Sequence, residues 1–264
     1  MIWKVALPMY NLSPRLQQAW EGLLGDLLDN LDLHAEVELV RAPPLPEFWL
    51  RPDLLLSQTC GYPYMTLLRE QVTLIATPAF DFPGCSGSDY SSVIVAPAGA
   101  GIASLADARG GIAAVNDAHS NSGMNALRLA VAPLAREGRF FDKVVYSGSH
   151  AASLRLVREG DADIAAIDCV TYGYLKEEDP VSLLGIKELG YSATSPGLPL
   201  VAGKAVPPQL LARLRSGLTE PGPQVAGHMR DLRILAFHHR PDADYRRIIQ
   251  LEAEACAAGY PLLA

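Results

Sequence analysis

What the chain has little of narrows its function first. No apolar run approaches the ~20 residues that a membrane-spanning helix needs, so no direct membrane insertion is expected. Basic residues are in deficit: 22 Lys and Arg against 29 Asp and Glu leave a net charge of −7. Holding nucleic acid by its phosphates needs the opposite balance, so no nucleic-acid partner is expected. A local set of donors still suffices for a small anion, even in an acidic protein. Cysteine is scarce as well. The four residues Cys60, Cys85, Cys169 and Cys256 are scattered, with no CxxC and no zinc-like spacing, which argues against a disulfide framework.

Catalytic signatures are also missing. There is no GxSxG elbow, no GxxxxGK[ST] loop and no HExxH, and Gly99–Gly101 does not extend to GxGxxG. His238 and His239 are adjacent and would diverge on a strand, so they do not make a metal pair. No catalytic residue, metal ligand or cofactor is expected. The segment Met1–Pro8 is short, lacks a small-residue cleavage site and reads as a strand rather than an export signal. The protein is therefore expected to be periplasmic or lipid-anchored if a signal was removed, and cytoplasmic if the chain is complete as given.

What is present suits an α/β protein. At 264 residues, 49% hydrophobic and 19% charged, the chain can bury a real core in two lobes or in one large unit. Residues 2–7 predict a strand. Ser13 then caps a helix with Pro14 at its first position, and Leu16, Trp20, Leu23, Leu27 and Leu31 recur on one face. Further strands are predicted at 36–40, 53–57, 72–77, 90–96, 112–115, 144–146, 164–167, 184–189 and 198–202. Helices are predicted at 123–135, 151–159 (stopped by Gly160), from Asp168 through Tyr174, and at 208–216, 224–232 and 243–258, with loops at 78–89 and 116–122. Alternating strands and helices imply α/β with largely parallel sheets.

Three strand-to-helix junctions carry polar residues. The loop Asn116–Gly123 delivers Ser120, Asn121 and Ser122 to a helix start, where free backbone N–H groups and the positive helix end favour an anion. Ser and Asn are also the ordinary capping residues, and the pattern alone does not choose. His150 follows Ser147-Gly148-Ser149 at the second junction, and Asp168 opens the third. Tyr10, Tyr62 and Tyr90 fall in or beside earlier loops, as cleft-lining aromatics or as packing.

Tyr90–Val95, Gly101-Ile102-Ala103-Ser104-Leu105-Ala106-Asp107, Asn116–Gly123 and Gly148-Ser149-His150 resemble, in order and spacing, the phosphate/phosphite/phosphonate-binding components of ABC transporters. The resemblance implies a two-lobed type 2 periplasmic-binding fold. Each lobe would be a mixed, mostly parallel sheet flanked by helices, and two crossovers near 88–95 and 189–200 would join them. It implies lobe one at 1–92 plus 194–264, lobe two at 93–193, and a ligand cleft between them. The ligand would be a small oxyanion, a phosphonate by preference or else a phosphite or phosphate, and the partner an ABC permease; the oligomeric state is left open, with a monomer favoured. The implied ligand set is Tyr62, Tyr90, Ser120, Asn121, Ser122, His150 and Asp168, with Asp168 facing an amino group on aminophosphonates. Tyr10 and Gln58 are added from their loops, Gln58 opening the segment Gln58–Tyr62 that replaces the usual loop there. The triplet departs from the pattern at Asn121, where a Thr is usual. Other readings of the same fold are a stand-alone sensory module, or an enzyme in which Asp168, His150 and Cys60 serve as acid, base or nucleophile on a small organic acid or cofactor precursor.

Overall fold

A computed structural model describes residues 2–264. In chain order its strands are β1 (Trp3–Ala6), β2 (Val37–Leu39), β3 (Leu54–Gln58), β4 (Val72–Phe80), β5 (Asp89–Tyr90), β6 (Ser92–Pro97), β7 (Ile112–Val115), β8 (Lys143–Tyr146), β9 (Ile164–Asp168), β10 (Ile186–Tyr191), β11 (Ser195–Pro196), β12 (Leu200–Gly203) and β13 (Ile234–His238). Contacts group the chain into two units. One holds residues 1–81, 86–88 and 196–245; the other holds 82–85, 89–195 and 246–264.

The first unit is built on the sheet β13-β4-β12-β3-β1-β2. The Ser13 hydroxyl accepts the Leu16 N–H and Pro14 sits at the first position of the helix Pro14–Asp29. That helix buries Leu16, Trp20, Leu23, Leu24, Leu27 and Leu28, each contributing about 1.5–3 kcal/mol where a large apolar side chain leaves water. Strand β4 runs three residues past its expected end at Thr77. Beyond Ala76 its only registered neighbour is β13, so Pro78 lies at a local edge that tolerates a missing donor. Strand β13 itself was not expected; Ile234 and Phe237 are buried while Leu235 and His238 are exposed, too weak an alternation to read locally.

The second unit is built on β10-β6-β9-β7-β8. Both sheets are mixed: β1 pairs in parallel with β2 and β3, and β7 with β8 and β9, while the remaining pairings in the two sheets are antiparallel. The antiparallel share is larger than strand–helix alternation alone implied. Helix His150–Glu159 is capped by the Ser149 hydroxyl and stopped by left-handed Gly160. Asp168 caps helix Cys169–Glu178.

The terminal helix Arg246–Ala257 groups with the second unit, whereas the resemblance placed 194–264 in the first lobe. Ala255 and Tyr260 belong to the same core as Ile94, Leu127, Val131, Phe140 and Ile164. The Ala264 carbonyl accepts the N–H groups of Phe140 and Phe141. The chain thus changes unit at 245/246 as well as near the two expected crossovers. Because Tyr260 is fully buried there, Tyr260→Ala is expected to cost about 3–5 kcal/mol. Urea denaturation checks this; a loss below 1 kcal/mol would contradict a core role for the C-terminal segment.

Candidate functional site

The second unit brings the three predicted junctions together with side chains that sequence reasoning did not pick out. The helix that follows β7 starts with a wide turn, Asn121–Asn125, then runs as Ala126–Val131 and tightens over Ala132–Leu134. The Ser120 carbonyl accepts from Asn125 N at 3.0 Å, the i→i+5 bond of a π-turn, and the Ser120 hydroxyl accepts from Gly123 N at 2.9 Å. Gly123 is required here, since a Cβ would lie 1.8 Å from Asn116 Oδ1, a buried oxygen with no hydrogen-bond partner among the described residues. The first N–H groups of such a turn have no intrahelical acceptor.

Ser120 Oγ and Ser122 Oγ lie 3.5 Å apart, and Ser122 Oγ is 2.9 Å from His150 Nε2. Ser92 on β6 donates its hydroxyl to the Ser122 carbonyl at 2.9 Å, and Ser92 is in register with Asp168 on β9. Asp168 is 2% exposed, and its Oδ1 accepts the N–H groups of Val170 and Thr171 at 2.8 and 3.0 Å.

Asn121 is 1% exposed and its bonds run inward. Its amide nitrogen donates to Tyr90 OH at 3.1 Å and to Ser195 Oγ at 2.8 Å, while its Oδ1 accepts from Asn125 Nδ2 at 3.1 Å. Asn125 Nδ2 also donates to the Ile248 carbonyl, and Asn125 Oδ1 accepts from Arg128 at 2.7 Å. The amide orientations follow from chemistry alone. Arginine can only donate and a carbonyl can only accept, so Asn125 must turn its oxygen to Arg128 and its nitrogen to Ile248. Asn121 is then forced to present its own nitrogen to Tyr90 and Ser195. A hydroxyl that already accepts a bond becomes a stronger donor.

The guanidinium at the root of this relay is 3% exposed. It donates to the Pro261 carbonyl at 2.9 Å and sits 3.4 Å from Glu252, while its Nε has no partner among the described residues. Asn125, Arg128, Ser92 and Ser195 are the residues sequence reasoning missed. For the first two a signal existed: Asn121, Asn125 and Arg128 form a polar stripe at i, i+4 and i+7 along an otherwise apolar helix.

Tyr10, Gln58 and Tyr62 lie in the first unit. Tyr10 takes φ +65° and is buried edge-on against Phe80, with ring centroids 5.3 Å apart. Gln58 is fully buried: its Nε2 reaches the Leu198 carbonyl at 3.4 Å, and its Oε1 has no partner among the described residues. An amide oxygen suits an N–H or O–H group, not an ionised oxygen. Tyr62 is buried in the short helix Gly61–Pro63. Two surface hollows of about 320 and 350 Å³ also lie wholly in the first unit, and they share no residue with the predicted set. No cluster of His, Cys, Asp and Glu able to hold a metal occurs among the described residues, and no helix among them is long and apolar enough to cross a membrane.

Burial pushes the His150 imidazole down to about 4 from 6.5, with the Ala166 carbonyl pulling the other way. It is therefore neutral at pH 7, and it meets Ser122 as donor or acceptor according to its tautomer. Between pH 6.5 and 4 the unfolded chain binds a proton that the folded one refuses. Stability from this residue is intact above pH 6.5 and falls as pH drops toward 4, by about 2 kcal/mol at pH 5. His150→Gln is expected to remove that slope. Urea titrations of both proteins at pH 7.5 and pH 5 test this, and parallel losses in the two would contradict it.

A family model described as "ABC transporter, phosphonate, periplasmic substrate-binding protein" matches residues 5–245. No curated protein matches the sequence. Among solved structures, a binding-protein component of an ABC phosphonate transporter from Pseudomonas aeruginosa superposes with TM-score 0.81 at 18% identity, covering 97% of this chain and 87% of that one. PhnD1 from Prochlorococcus marinus in complex with methylphosphonate gives 0.80 at 16% identity, over 96% and 97% of the two chains. A Xanthomonas citri protein bound to ATP gives 0.70 at 15% identity, over 97% and 98%.

Proposed function

The chain belongs to the phosphonate-type periplasmic substrate-binding proteins of ABC transporters, and on that premise we propose that it binds a phosphonate at the start of the helix following β7. The family is one of non-catalytic binding proteins that serve an ABC uptake system, so this chain captures a small oxyanion for a permease partner and does no chemistry on it. The finer assignment is to a phosphonyl group, methylphosphonate being the ligand held by the Prochlorococcus relative. Its site of action is proposed to be the periplasm.

One observation supports the assignment most: a buried cation fixes the sense of every amide between itself and the Tyr90 and Ser195 hydroxyls, beside a helix start that carries the Ser120 and Ser122 hydroxyls. These are donors without formal charge at the ligand itself, which suits an anion in an acidic protein. In this reading Ser120, Ser122, Tyr90 and neutral His150 meet the oxyanion, with Asp168 placed for an amino substituent where the ligand has one. Asn121 acts as a positioning residue rather than a contact, because its amide protons are already used. Tyr10, Gln58 and Tyr62 are kept as proposed contributors from the first unit.

Hydrogen bonds to a charged group contribute roughly 1.5–3 kcal/mol each, so removing two weakens binding by about two to four orders of magnitude. Ser120→Ala with Ser122→Ala is expected to do this in calorimetric titration with methylphosphonate. The lost Ser120 cap costs only about 1 kcal/mol of stability. Circular dichroism should therefore show the fold intact. A wild type that binds and a double variant that binds equally well would refute the site. Tyr62→Ala reads the first-unit contribution separately: unchanged affinity would remove Tyr62 from the set.

A further inference from the structure

The scattered cysteines are not all apart in space. Cys85 Sγ and Cys169 Sγ lie 3.5 Å from each other, although 84 positions separate them in the chain. Both belong to the second unit. Their positions are set by shared anchors. Ser91 accepts the Cys169 N–H on its backbone carbonyl at 3.1 Å and donates its hydroxyl to the Gly84 carbonyl at 2.9 Å, so one residue holds both sulfur-bearing segments. On the other side Phe82 packs edge-on against Tyr174 with centroids 4.9 Å apart, on the helix that Cys169 begins. Gly173 leaves room for that ring, since a Cβ there would lie 2.4 Å from it. The Cys85 N–H closes the turn onto the Phe82 carbonyl at 3.0 Å.

We propose that Cys85 and Cys169 are a disulfide-forming pair, oxidised by an external organic disulfide. A disulfide needs its sulfurs at ~2.05 Å, so the thiols must close by about 1.5 Å, a movement within reach of side-chain rotation while the anchors hold the backbone. Cys85 is partly accessible whereas Cys169 is buried, so Cys85 reacts first. Its thiolate attacks one sulfur of the external disulfide, forming a mixed disulfide and releasing one thiolate. The Cys169 thiolate then attacks the Cys85 sulfur, forming the internal bond and releasing the second. The two protein thiol protons pass to the two leaving thiolates: the protein is oxidised by two electrons and one organic disulfide becomes two thiols. The bond to Cys85, burial and the Asp168 charge all push the Cys169 thiol up. The first of these is relieved once Cys85 is in the mixed disulfide. The internal bond would tie the turn 82–85 to the helix capped by Asp168, and oxidising compartments such as the periplasm maintain such bonds.

The test uses the full chain carrying Cys60→Ser and Cys256→Ser, so that only the two thiols in question remain. After exchange with oxidised glutathione at pH 8, denaturation and maleimide labelling, both thiols are expected to vanish together, with a mass lower by two hydrogens and no glutathione attached. Persistence of both thiols, or a glutathione adduct that does not resolve, overturns the proposal. Proteolytic mapping of the oxidised wild type keeps the test decisive should the double variant not fold. A linked peptide pair containing Cys85 and Cys169 supports the bond, and its absence or a linkage through Cys60 or Cys256 refutes it.

Discussion

The buried guanidinium of Arg128 organises the second unit's polar interior. Taking such a cation out of water costs several kcal/mol, and Glu252 at 3.4 Å together with the Pro261 carbonyl offsets part of that. What the cost provides is direction. From Arg128 through Asn125 and Asn121 to Tyr90 and Ser195, each group has one permitted orientation, because the first can only donate and the Ile248 carbonyl beside the chain can only accept. Removing any member leaves a buried neighbour unsatisfied, so the relay is held as a unit.

The π-turn is the second constraint, and it works with the first. The i, i+4 bond between the Asn121 and Asn125 amides spans this turn. Within the same turn Ser120 caps Gly123 and Ser122 meets His150. The neutral state of His150 fits this arrangement. An imidazolium there would be poorly solvated, its Nδ1 being buried, so in the proposed site His150 would offer a hydrogen bond, not charge.

Legibility in the sequence followed the range of the interaction. Ser13-Pro14, Gly160 and Asp168 were all readable, because capping is decided within three residues, whereas the Ser149 cap one residue ahead of the expected helix was not picked out. The positions of Ser120, Ser122 and His150 at strand-to-helix junctions were readable for the same reason, and the resemblance gave the fold class and the family. The inward turn of Asn121 was not readable. Its partners Tyr90 and Ser195 lie 31 and 74 residues away, and no local rule connects them. The same holds for the docking of the C-terminal helix into the second unit, and for Cys85 beside Cys169. The continuation of β4 past Pro78 was hidden by a different effect, since the edge context that permits proline exists only once the sheet is assembled, and strand β13 was hidden by its weak alternation of buried and exposed residues.

The central claim is that Asn121 orients the site while the hydroxyls around it hold the anion. A crystal structure of the chain with methylphosphonate bound tests this most directly. The account predicts phosphonyl oxygens within hydrogen-bond distance of the Ser120 and Ser122 hydroxyls, with the Asn121 amide still bonded to Tyr90 and Ser195. An anion held by an Asn121 amide that has turned away from those two hydroxyls, or an anion bound nowhere near this helix start, would contradict it.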